Sequence, residues 1–232
     1  MPGSTSSWLC RKLAPMPLIT FEGSEGCGKS TQAKRLAAYL EKQGAAATVL
    51  REPGSTLIGE AIRHLLQHSE ENVGMTPETE LLLFEASRSQ LVCEKIQPAL
   101  ARDEWIICDR FYDSTTVYQG AARRLDMSFV KQLNEFAAGG CVPDVTFILD
   151  LDRAAAQRRL DHRKIRDRME EQPEEFYQRV RVAYRDLAKE EPERIVVIDG
   201  ALAADEIEAK IRDVIFDRFP SLTRKSAIEN RK

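Results

Sequence analysis

A chain of 232 residues, 43% hydrophobic and 31% charged, can bury a full core, and one α/β domain with at most a small appendage is the expectation. Its 34 Lys and Arg against 37 Asp and Glu leave a net charge of −3, which argues against nucleic acid or an anionic membrane as a partner. The longest apolar runs, such as VTFIL at 145–149, are strand-length and exclude a membrane span.

Residues 1–16 lack an apolar stretch long enough for a signal peptide and are expected to be disordered outside the fold. A translation start at Met16 is one hypothesis for this extension, and the intact mass of the native protein tests it. PLITFE (17–22) reads as a buried strand. Residues 29–43 then switch to helical period, with Ala33, Leu36, Ala37 and Leu40 on one face and Gly44 as the stop. ATVLRE (47–52) is a second strand, stopped by Pro53-Gly54, and Leu57 to Gln67 reads as a helix. A longer helix begins at Pro77 after the cap candidate Thr76 and carries Leu81, Phe84, Leu91, Ile96 and Leu100. EWIICD (104–109) is the third strand, followed by helical stretches over 112–121 and 127–138, the second broken by Gly139-Gly140. DVTFILDL (144–151) is the fourth strand. A helix from Ala154 to Leu160 runs into a basic stretch, and Phe176, Val180, Ala183, Tyr184 and Leu187 form another helical stripe. RIVVID (194–199) is the fifth strand, and Ile207, Ile211, Val214 and Ile215 mark the closing helix.

Apolar strands alternating with helices predict a parallel sheet covered on both faces, with one folded domain over 17–219 and a polar tail over 220–232. Ligands in such folds bind beyond the carboxyl ends of the strands. The five cysteines (Cys10, Cys27, Cys93, Cys108 and Cys141) are widely spaced, without a C-x-x-C pair. They fit reduced thiols in a cytoplasmic protein, with Cys93 and Cys108 expected to be small buried residues. His64 and His68 lie four apart without a third ligand and read as surface helix positions.

Gly23-Ser24-Glu25-Gly26-Cys27-Gly28-Lys29-Ser30 fits G-x-x-x-x-G-K-[ST], between a strand and a helix as that motif requires. Its glycines let backbone N–H groups turn inward around phosphate oxygens, and the helix N-terminus adds partial positive charge. Lys29 can reach the outer phosphates, and Ser30, with Thr31 behind it, can ligate Mg²⁺. The loop predicts a nucleoside triphosphate, and the absence of N-K-x-D argues against a GTPase.

REPGST (51–56) follows the second strand; Arg51 and the Pro-Gly turn could meet an anion, although alone the stretch reads as an ordinary turn with an exposed arginine. DRFYDSTTVYQG (109–120) follows the third, where Asp109 stands at the place of a Mg²⁺-orienting carboxylate and Arg110 can fork a phosphate. FEASRSQ (84–90) puts Phe84 and Arg88 on one helix face. They could read a flat base together, although spacing alone favours Phe84 as core and Arg88 as solvated. RRLDHRKIRDR (158–168) is either a solvated helix face or a basic flap over transferring phosphates.

As an ordered set, FEGSEGCGKST, REPGST, FEASR, DRFYDSTTVYQG, PDVTFILDLD, DRME and FYQRVRVAYRDLA resemble the thymidylate kinases, over about residues 17 to 219. The resemblance implies a three-layer P-loop fold with a five-stranded parallel sheet and a short basic lid at about 158–172. It implies ATP-dependent phosphorylation of dTMP with Mg²⁺, and a homodimer. It places Gly23 to Thr31 on ATP, and Ser30 and Asp109 on the metal. Glu25 falls on the deoxyribose, Arg51 and Arg110 on the dTMP phosphate, Phe84 and Arg88 on thymine. Ser114, Tyr118 and Gln119 fall in the nucleoside pocket, with Tyr118 crowding the 2′ position. Lys29, Arg110 and the lid residues Arg163 and Arg168 take the catalytic roles, in the bacterial-type arrangement in which the lid supplies the arginine. The chain departs from the family where Ser55 replaces a glycine of REPGGT, where Val117 replaces alanine, and at Arg123-Arg124. Two other readings stay open: a P-loop kinase for dUMP or a deoxynucleoside, and a nucleotide-binding protein without turnover.

Overall fold

The computed structural model describes residues 17–160, 168–169 and 172–220, without the side chains of residues 70 and 71. The expectations for residues 1–16, Arg163 and the tail beyond residue 220 lie outside the described residues. Five strands form one parallel sheet: β1 (Leu18–Glu22), β2 (Ala47–Arg51), β3 (Trp105–Asp109), β4 (Val145–Asp150) and β5 (Ile195–Asp199), in the order β2-β3-β1-β4-β5. β1 lies at the centre, paired with β3 on one side and β4 on the other. The order therefore reverses beside β1, and the crevice opens at its carboxyl end.

Period-two alternation sends side chains to two faces. Ile19 and Phe21 of β1 pack with Ile107, Phe147 and Leu149 beneath α1 (Lys29–Lys42) and the closing helix. Leu18 joins Ile106 and Cys108 on the other face. That face is covered by the end of α3 (Pro77–Leu91), which runs through a π-helical turn at Val92–Ile96 into α4 (Gln97–Leu100), and α2 (Leu57–Gln67) packs against α3. α5 (Tyr112–Thr115) widens in the same way into a π-helical stretch over Thr116–Ala122, followed by α6 (Met127–Ala138). α7 (Arg153–Leu160), α8 (Glu174–Glu190) and α9 (Ala204–Arg218) complete the chain. Thr56 and Thr76 cap α2 and α3 by accepting from Gly59 N–H and Thr79 N–H.

Every predicted strand and helix is present. Cys108 is buried as expected, but Cys93 is exposed, because the buried face runs through Arg88, Val92, Ile96 and Ala99 at three- and four-residue spacing and leaves position 93 on the outer side. Val117 packs in the cluster formed with α8. Among the described residues no helix is long and apolar enough to cross a membrane.

Candidate active site

The loop after β1 owes its path to glycine. At Gly23, φ is 131° and an added Cβ would stand 2.6 Å from the carbonyl oxygen of Leu149, so the loop passes directly over the end of β4. Lys29 folds back over the loop, its Nζ donating to the carbonyls of Ser24 at 2.7 Å and Gly23 at 3.1 Å. Ser30 donates its hydroxyl to the Asp109 carboxylate. A cavity of 460 Å³ opens above, lined by the loop from Glu25 to Thr31 together with Arg51, Asp109 and Arg110. Gly23 and Ser24 face a different cavity on the β4 side. Arg63 of α2 and Arg159 of α7 also line the phosphate-side cavity. Sequence reading missed both, although Arg159 belongs to the basic run. Arg159 donates to the carbonyls of Gly200 at 3.0 Å and Gly26 at 3.4 Å.

Arg110 has a left-handed backbone, φ 73°, an uncommon state for a bulky residue and one associated with functional sites. Its guanidinium reaches Glu25 at 2.7 Å and Ser114 at 3.0 Å. Burial opposes its charge, and the fields of Tyr118, Glu25, Tyr184 and Glu22 outweigh burial, so its pKa is raised further. Glu22, the last residue of β1 and absent from the sequence reading of the site, anchors this corner. Its carboxylate accepts from Phe111 N–H at 2.8 Å, Ser114 at 2.5 Å and Tyr184 at 2.8 Å. Burial and the nearby Asp113 push its pKa up.

A second cleft of 40 Å³ shares Glu25, Gln67 and Arg110 with the larger cavity, and Phe84, Ser114, Tyr118, Gln119 and Met169 complete most of its wall. Tyr118 donates to Glu25 at 3.0 Å. Phe84 therefore lines a cleft, contrary to the core position that spacing favoured. Arg51, 51% exposed, is steadied by Glu60 at 2.7 Å. Ser55 beside it has φ 66°, the conformation that a glycine would take without strain, and its hydroxyl accepts from Arg51 N–H at 2.8 Å.

Two expected arginines are placed differently. Arg88 is only 1% exposed, so the solvated reading is wrong. Its guanidinium makes four hydrogen bonds, Nε to Glu52, Nη1 to Glu85 and Asn134, and Nη2 to Thr115, and Nη2 also lies 2.8 Å from the Glu52 carboxylate. It sits behind the cleft wall, its donors drawn inward by buried carboxylates that spacing could not show. Burial raises the pKa of Glu52 to about 7 against the pull of Arg88. Arg168 donates to Glu80, and its Nε to the carbonyl of Leu66 at 3.1 Å. It lines a polar cavity on the far side of α2 with Arg123 and His68, rather than the phosphate-side cavity.

The fit of a divalent cation rests on the donors present. A hydroxyl and a carboxylate, both hard oxygen ligands, converge at Ser30 and Asp109, as suits Mg²⁺ held by one or two protein oxygens plus phosphates and water.

A phosphate-binding loop at the centre of a parallel sheet, a carboxylate at the neighbouring strand end and an adjoining cleft walled by aromatic and amide groups define a P-loop nucleotide kinase. The thymidylate kinase family model matches residues 21–211. Thymidylate kinase of Desulfosudis oleivorans is 45% identical over 89% of this chain and 99% of its own length. That of Chlorobium luteolum is 44% identical over 87% and 98%. The crystal structure of thymidylate kinase from Ehrlichia chaffeensis superposes with a TM-score of 0.70 at 35% identity, covering 86% of this chain and 98% of that one. The chain belongs to the thymidylate kinase family.

Proposed function

We propose that the protein transfers the γ-phosphoryl group of ATP to dTMP, giving dTDP for dTTP synthesis. The observation that carries this reading is the junction of the phosphate-side cavity and the small cleft through Glu25, Gln67 and Arg110. A nucleotide laid across it has its phosphate beside Arg51 and Arg110 and its base beside Phe84, Tyr118 and Gln119.

The acceptor phosphate oxygen attacks the γ-phosphorus in line, and positioning with charge stabilisation does most of the work. Lys29 exchanges its loop carbonyls for phosphate oxygens. Arg110, held by Glu25 and Ser114, grips the acceptor phosphate. Arg159 and Arg63 face the same cavity and join as cationic walls. Mg²⁺ held at Ser30 and Asp109 would offset charge on the phosphate oxygens. Arg168, bonded to Glu80 and Leu66, is not assigned a part in the transfer. The cleft is narrow, 40 Å³, and a base enters as the side chains around Phe84 and Met169 part.

An apolar face supports the homodimer. α2, α3 and α6 pack side by side and expose Leu57, Ile58, Leu82, Phe129 and Phe136, with Leu57 92% and Phe136 80% exposed, a set of side chains that association would cover. The cytoplasm, where the thiols stay reduced, is the proposed location.

ADP production from MgATP against dTMP, dUMP, TMP with ribose, dCMP, AMP, GMP, thymidine and no acceptor tests the function. Turnover well above the others with dTMP supports it. Turnover with thymidine would favour a deoxynucleoside kinase. ATP binding without turnover on any acceptor would favour a non-catalytic nucleotide-binding protein.

A further inference from the structure

The amide of Gln119 is not free to choose which end faces the cleft. Its Nε2 donates to Glu80 Oε1 at 2.7 Å, and both side chains are 1% exposed. An ionised carboxylate has only acceptors, so the amide beside it must present nitrogen. One N–H of Nε2 is spent on Glu80, so the end of the amide that carries the carbonyl oxygen, with the second N–H beside it, is left for the cleft that Gln119 lines.

Glu80 is held in the ionised state by its surroundings. Arg123 donates through Nε to Oε1 at 3.1 Å and through Nη2 to Oε2 at 3.0 Å, and Arg168 donates to Oε2 as well. Two guanidinium charges face one carboxylate. Burial alone would favour its protonation, yet the bonds and field of Arg123, with Gln119 and Arg168, bring its pKa below the usual carboxylate value.

We propose that Glu80 is a positioning residue for base selection, fixing the Gln119 carbonyl toward the cleft so that the site takes pyrimidines with an N3–H and rejects those with a bare N3. Thymine and uracil offer that donor. Cytosine offers a lone pair, which would face the carbonyl acceptor to acceptor in a closed site, an unpaired arrangement that such sites discriminate against strongly. The inference rests on the dTMP kinase reading and assigns no role to the 5-methyl group.

The experiment compares kcat/KM for dTMP and dCMP in the full-length protein and in Glu80→Gln. A glutamine at 80 can donate to Gln119 and release its orientation. The dTMP-to-dCMP ratio should fall at least tenfold, with KM for dTMP raised and KM for ATP little changed. In a Gln119→Leu background the same substitution should leave the ratio where Gln119→Leu put it. Glu80→Asp keeps the charge between the two arginines but withdraws the oxygen from Gln119. It should also lower the ratio, and it serves if Glu80→Gln does not fold. Equal losses on both acceptors, with the ratio unchanged, would overturn the proposal and leave Glu80 a structural residue. So would a fall in the ratio that persists in the Gln119→Leu background. Wild-type protein inactive on dTMP would instead remove the reading on which the proposal rests.

Discussion

Arg110 and Glu25 meet across the head of the sheet, Nη2 to Oε1 at 2.7 Å, so the residue ending one strand turn is pinned to the middle of the phosphate loop. The pair joins the two halves of the site: Glu25 belongs to the loop that holds the donor, and Arg110 to the corner that meets the acceptor.

Arg110→Ala should lower kcat about 10³-fold, the scale of losing a preorganised charge donor in a closed site, while circular dichroism and the melting transition still report a folded protein. Turnover within a few-fold of wild type would remove Arg110 from the mechanism.

Phe84→Ala should raise KM for dTMP about 5- to 150-fold, as stacking worth roughly 1–3 kcal/mol per base implies, and leave KM for ATP nearly unchanged. Equal effects on both substrates would mark Phe84 as packing.

At Ser55 two contributions oppose each other. The left-handed backbone, φ 66°, costs a non-glycine residue about 1–2 kcal/mol, and the hydroxyl bond to Arg51 N–H returns about 1 kcal/mol. Ser55→Gly should therefore be close to neutral in chemical denaturation. Ser55→Ala, which loses the bond and keeps the strain, should be less stable by about 1 kcal/mol. Alanine matching or exceeding glycine would show that the strain is absent.

Glu52 sets a pH dependence. Arg88 carries one positive charge between the carboxylates of Glu52 and Glu85, and burial lifts the Glu52 pKa from 4.5 to about 7. Between those values the folded protein holds a proton that the unfolded chain has released, so this group makes stability fall as pH rises. The difference in unfolding free energy between wild type and Glu52→Gln should decline from pH 4.5 to 7, by on the order of 3 kcal/mol, and level off above. A flat difference would place the Glu52 pKa near its ordinary value.

What the sequence made legible was whatever is local. The phosphate loop is a contiguous pattern whose glycines and lysine act within a few residues of one another. The strands are short apolar runs whose ends locate Asp109 and Arg110. Arg88 was illegible because, beside Glu85 on its own helix, its partners come from three other segments, at Glu52, Thr115 and Asn134, and only tertiary packing brings those to it. Arg168 was drawn toward the phosphates by its place in a basic run, whereas the structure gives it to Glu80, a residue that helical periodicity made unremarkable. The exposure of Cys93 follows from the helical spacing of its buried neighbours Arg88, Val92, Ile96 and Ala99, whereas the change of helical pitch at Val92–Ile96 is one that no residue type announces.

The same change of pitch at Thr116–Ala122 bears on how the cleft tolerates insertions and deletions. A π-helical turn is one residue longer than the α-helical turn it replaces and has weaker hydrogen-bond geometry. Removing a single residue there would let the segment wind down into a regular helix and gain local stability. Tyr118 and Gln119 would then rotate together by about 100°, away from Glu25 and Glu80. Along this stretch, a more comfortable backbone and an intact acceptor cleft are alternatives.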